Sequence, residues 1–105
     1  MDLNVFAFTG RLGRDAKQSV TKNGTDVTSF PVAISGFRDA TIWVGVRAFG
    51  KLAEVCAGLS KGERVAVSGE LSLREYEGKT YLDVSARSIT FLTPKGGGND
   101  DDIPF

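Results

Sequence analysis

The sequence predicts an all-β domain of five strands with one short helix between the third and fourth, followed by an acidic tail. Three observations lead there. Apolar residues recur with a period of two through most of the chain, one stretch alone switches to helical spacing, and periodicity stops after Leu92.

Residues 3–9, Leu-Asn-Val-Phe-Ala-Phe-Thr, are rich in aromatic and β-branched side chains and run into Gly10, which marks a first strand. Residues 10–28, with Gly13, Asn23 and Gly24, read as a loop or irregular ribbon. Phe30, Val32 and Ile34 then alternate with Ser29, Pro31, Ala33 and Ser35 in a second strand. Proline has no N–H for a ladder, so that side of Pro31 is expected at an edge or bulge. In the third strand, residues 42–49, Ile42, Val44, Val46 and Ala48 share one face, and Trp43, Gly45, Arg47 and Phe49 the other.

Gly50 ends the third strand. Leu52, Val55, Cys56 and Leu59 follow at helical spacing, a short helix of about three turns closed near Gly58 or Gly62. Alternation returns over residues 64–76, with Val65, Val67, Gly69, Leu71 and Leu73 inward and Ser68, Glu70, Ser72, Arg74 and Tyr76 outward. Glu77-Gly78-Lys79 signals a turn, and residues 81–91 run back as the partner strand. Phe6, Phe8, Phe30, Phe91 and Cys56 sit among aliphatics and are expected in the core or an interface. Five strands with a helix after the third is the layout of the OB-fold, a partly open Greek-key barrel that binds oligonucleotides or oligosaccharides. Residues 1–92 make this domain, and residues 93–105 make a linker and acidic tip.

Composition narrows the function. An apolar fraction of 41% suits a folded domain. No apolar run reaches membrane-spanning length and no signal-peptide order opens the chain, so the expectation is a soluble cytoplasmic protein. With one cysteine and no histidine, an intrachain disulfide is impossible, a metal site has few ligands, and the commonest general base is missing; no cofactor, metal or catalytic role is expected. The Gly-Arg-Leu-Gly-Arg-Asp stretch at residues 10–15 lacks the spacing of a phosphate loop. Net charge is zero, but residues 1–92 carry 12 basic against 10 acidic side chains, and residues 93–105 carry Lys95 against three aspartates. A mildly basic body thus bears an acidic tail.

The outer face of strands three and four carries Trp43, Arg47, Phe49, Arg74 and Tyr76, two residue types that single-stranded nucleic acid needs. Every unpaired base offers a π-face to stack on, and cations follow the phosphates. Lys51, Lys79, Arg87, Arg11 and Arg14 extend the basic track. The alternative for Trp43 and Phe49 is a second core layer or an oligomer contact, and for Tyr76 it is packing on Tyr81 across the hairpin.

Several segments resemble the bacterial single-stranded DNA-binding protein family, in the same order along nearly the whole chain. They are NVFAFTGRLGRD at residues 4–15, FPVAIS at 30–35, Trp43 through Val55, the hairpin KGERVAVSGELSLREYEGKTYLDVSA at 61–86, and the terminal DDIPF. The resemblance implies sequence-nonspecific binding of single-stranded DNA in replication, recombination and repair, a homo-oligomer (tetramer or dimer), and association with the nucleoid. It also implies that the stacking aromatics fall on Trp43, Phe49 and Tyr76. Phe37 and Arg38, in the short connection at residues 36–40, stand where larger-footprint members carry a long loop with a further Trp. Val44 stands where the family often has a His near a subunit contact.

The tail ends Asn-Asp-Asp-Asp-Ile-Pro-Phe. By the same resemblance Asp100, Asp101, Asp102, Ile103, Pro104 and Phe105 recruit replication and repair proteins. Ile103 and Phe105 suit a small apolar pocket, Pro104 limits the freedom lost on docking, and the carboxylates suit Lys or Arg around it. Residues 93–99 extend at most about 25 Å, near enough for the aspartates to compete with DNA phosphates. A second reading of the whole chain is an OB-fold adaptor in a replication complex with weak DNA binding.

Overall fold

The computed structural model describes residues 1–36, 38 and 40–92. Phe37 and the tip, Asp100 to Phe105, lie outside the described residues. The chain forms β1 (Phe6–Leu12), β2 (Lys17–Val20), β3 (Asp26–Ser35), β4 (Thr41–Phe49), α1 (Lys51–Cys56), β5 (Arg64–Tyr76) and β6 (Lys79–Phe91).

Strand order in the sheet is β1-β5-β6-β4-β3-β2, and a further β1–β3 pairing closes β1, β3, β4, β5 and β6 into a barrel. All neighbours are antiparallel except β4 and β6, which run parallel from Val44↔Leu82 to Arg47↔Ser85. This is the expected OB-fold, with α1 between the third and fourth barrel strands. The segment read as a loop holds an added strand: β2 pairs with β3 from Lys17↔Ser29 to Val20↔Asp26. Its residues are all exposed, so burial left no apolar alternation to betray it.

Pro31 explains how β3 serves two partners on one edge. Its carbonyl accepts the Gly13 N–H at 2.9 Å, between the β1 pairings of Val32 and Ala33 and the β2 pairing of Ser29. The missing N–H falls where the strand changes partner, so no ladder donor is lost.

The core is Leu12, Phe30, Val32, Val44, Val46, Ala48, Cys56, Leu59, Val65, Val67 and Val84. α1 buries Ala53 and Cys56 at one end of the barrel, and the buried Thr28 hydroxyl donates to the Ala53 carbonyl at 2.7 Å, tying helix to β3. The helix is half as long as its apolar spacing suggested; turns carry the chain on to Leu59, which is still buried.

Other expectations shift at the barrel ends. The first strand begins at Phe6, because the Asn4 amide donates to the Leu71 carbonyl at 2.8 Å and accepts the Leu71 N–H at 3.1 Å. A side chain there does the work of a backbone pair. Ile42, Leu73 and Phe91 are 44%, 64% and 39% exposed: the alternation places them on the inner face, but β3–β4 and β5–β6 run past the closed barrel, where that face meets solvent. Phe6 and Phe8 pack partly buried against the core. Beyond Arg11↔Ala33 and Leu12↔Val32, β1 pairs only with β5 among the described residues, which leaves the other edge of Phe6–Gly10 open.

Candidate nucleic-acid interface

The registers of β3, β4, β5 and β6 arrange the outer face in rows. Trp43 lies opposite Ala33 on β3, and Ala33 opposite Arg11 on β1. Gly45 lies between Pro31 and Asp83, and Arg47 between Ser29 and Ser85, with Lys17 opposite Ser29 on β2. On the neighbouring hairpin Arg74 is opposite Tyr81 and Ser72 opposite Asp83.

These rows form the floor of an open groove of about 510 Å³, lined by residues that include Arg14, Lys17, Trp43, Arg47, Arg74, Tyr81 and Asp83. Trp43 is 55% exposed and its ring edge rests on Gly13, where a Cβ would come within 2.5 Å of Cζ3. The absent side chain lets the loop after β1 support the indole from the side. Phe49, 42% exposed, continues the outward face of β4.

Of the sequence-predicted cations, Arg14, Arg47 and Arg74 line this groove. Arg11 is exposed one strand beyond, in the row of Trp43, and Lys51 is exposed just past Phe49 at the start of α1. Arg38 is exposed at positive φ in the connection between β3 and β4. Tyr76, 59% exposed, pairs with Lys79 at the tip of the β5–β6 hairpin, outside the groove. Arg87 is ion-paired with Glu70 beside the register shift in β6, also outside it.

Lys17, Tyr81 and Asp83 belong to the groove and were not read as site residues. Lys17 sits on the unrecognised strand. Tyr81 and Asp83 had a legible signal, since continuing the alternation of the last strand outward gives Tyr81, Asp83 and Ser85. Arg74 lies over the Tyr81 ring with Cζ 4.8 Å from the centroid, and its Nε donates to Asp83 Oδ2 at 2.8 Å. The carboxylate bond, aided by the Asp83 charge, holds the Arg74 guanidinium above its usual pKa range. Tyr81 thus carries Arg74.

Electrostatically the groove is basic, because Arg14, Lys17, Arg47 and Arg74 outnumber its two carboxylates, Asp15 and Asp83. Asp15 accepts the Lys61 N–H at 2.8 Å and Asp83 holds Arg74. Among the described residues no carboxylate lies within ion-pair distance of Arg14, Lys17 or Arg47. Nor do the described residues hold a cluster of three potential metal ligands.

Residues 3–92 match the single-strand binding protein family. The chain belongs to that family. This family member is 39% identical to single-stranded DNA-binding protein 1 of Staphylococcus aureus strain MSSA476, with 95% of the chain and 70% of that protein covered. It is 35% identical to a single-stranded DNA-binding protein of Neisseria meningitidis serogroup B, over 96% of the chain and 64% of that protein. The wild-type single-stranded DNA binding protein from Thermus aquaticus superposes with a TM-score of 0.73 at 26% identity; the match spans 97% of this family member but 46% of the Thermus chain. No helix among the described residues is long and apolar enough to cross a membrane.

Proposed function

We propose that this protein binds single-stranded DNA without sequence preference, in replication, recombination and repair. One observation carries the reading: the half-exposed Trp43 stands in a basic groove beside Arg47, on the outer face of an OB-fold barrel. Stacking on Trp43 and Phe49 supplies affinity that any base satisfies, and Arg14, Lys17 and Arg47 follow the phosphates. Tyr76 and Lys79 on the projecting hairpin, with Arg11, Arg38 and Lys51 around the groove, extend the strand's path. No catalytic group is needed.

The edge of Phe6–Gly10 away from β5 has no strand partner among the described residues, and such a row of backbone donors and acceptors supports assembly of the protein with copies of itself. The acidic end from Asp100 to Phe105 supports recruitment of replication and repair proteins through an apolar pocket with a basic rim. Trp43 is the only tryptophan, so one titration tests the core of the proposal. Adding oligo-dT at low salt is expected to quench its fluorescence, with binding that weakens as salt rises. Absence of quenching at low salt would refute the stacking role.

A further inference from the structure

Four basic side chains line the groove, but one differs from the rest. Arg74 is held from two directions at once, by Asp83 at 2.8 Å through Nε and by the Tyr81 ring beneath it at 4.8 Å. The carboxylate is tucked in and the guanidinium is on top: their side chains are 14% and 47% exposed. Gly45 makes room for this arrangement. It faces Asp83 across the parallel β4–β6 pairing, and a Cβ there would lie 2.8 Å from Asp83 Oδ1.

A cation whose charge is already balanced by a carboxylate neutralises little phosphate charge and so displaces few of the counterions condensed on the DNA, which means that it adds little to salt-dependent affinity. Its flat, half-exposed guanidinium still offers a plane on which a base can stack. We propose that Arg74 is a base-stacking platform rather than a phosphate contact, with Asp83 as the positioning residue that fixes its plane over Tyr81. This rests on the groove being the single-stranded DNA site. Arg14, Lys17 and Arg47, without an ion pair among the described residues, are then the phosphate track, and Trp43 on β4 and Arg74 on β5 are two stacking surfaces of one floor, with β6 between them.

The test is the salt dependence of oligo-dT affinity, read by Trp43 fluorescence. Replacing the pair together, Arg74→Gln with Asp83→Asn, keeps the groove's charge and removes the platform. Affinity is expected to fall about tenfold with the slope of log K against log salt unchanged. Arg74→Lys is expected to lose affinity too, because an ammonium has no plane. Asp83→Asn alone frees the guanidinium for a phosphate and steepens the slope by about 0.7. A double variant whose slope drops by about 0.7, or Arg74→Lys with unchanged affinity, would overturn the platform; an unchanged slope in Asp83→Asn would overturn the positioning role. If the unsubstituted protein fails to bind oligo-dT, the groove assignment falls. If it binds and the variants behave in these contrary ways, only the platform does.

Discussion

Single side chains carry most of the proposed chemistry, and Trp43 is the clearest case. It lies on a strand whose other face is aliphatic core, so truncation removes a stacking surface without opening the barrel. Trp43→Ala is expected to weaken oligo-dT binding roughly 5- to 150-fold, the equivalent of about 1–3 kcal/mol, with the thermal midpoint nearly unchanged; isothermal titration and calorimetry check the two halves. Cys56 makes the opposite point. It is fully buried at the foot of α1, and desolvation pushes its thiol up from 9.0 to about 11. Folding therefore favours the protonated thiol. The stability it contributes is complete below pH 9 and is lost as pH rises toward 11. The thermal midpoint should fall through that window, and Cys56→Ala should flatten the fall while lowering stability at neutral pH.

At the scale of elements, glycine backbone decides where strands meet. A Cβ on Gly69 would lie 2.0 Å from the Ser85 carbonyl oxygen, at the register shift between Ser68 and Gly69 where β5 passes β6. The obstacle is main chain, which cannot swing aside. Gly69→Ala is expected to destabilise the fold by about 3 kcal/mol, measured as a shifted urea midpoint. Such close approaches leave no trace in hydrophobic periodicity. The five barrel strands, the helix position and the outward set Trp43, Arg47 and Phe49 were all legible, because burial on one face imposes a period of two. The exposed β2 was not, since none of its four residues is buried and no apolar alternation is imposed on it. The Arg74–Asp83 contact joins strands at a register that the hairpin turn sets, with Glu77 and Gly78 both at positive φ. Ser72, rather than Arg74, faces Asp83 directly. A reader of the sequence could place both residues outward, yet not know that they met.

For the whole molecule, charge is distributed so that a basic groove and an acidic end belong to one short chain. Deleting residues 100–105 removes three aspartates and is expected to tighten oligo-dT binding at low salt, an effect that fades as salt rises because it acts through screened charges. Fluorescence titrations of the two proteins at two salt concentrations test this, and equal affinities at low salt would exclude the competition. The proposed recruitment of partners by the same residues is tested separately, by whether a replication or repair protein that binds the full chain loses its grip on the shortened one.

The closure of the barrel also has a meaning in time. β1 meets β5 through pairs such as Phe6↔Gly69, and β4 meets β6 only once Leu82 to Ser85 have been made. As the chain leaves the ribosome, Arg11 and Leu12 can meet β3 early, but Phe6 to Gly10 must wait for more than half of the sequence before β5 exists. Loop-closure entropy opposes that pairing until the β5–β6 hairpin supplies its own local ladder. Assembly of the barrel is therefore a late event, tied to the synthesis of the final strand.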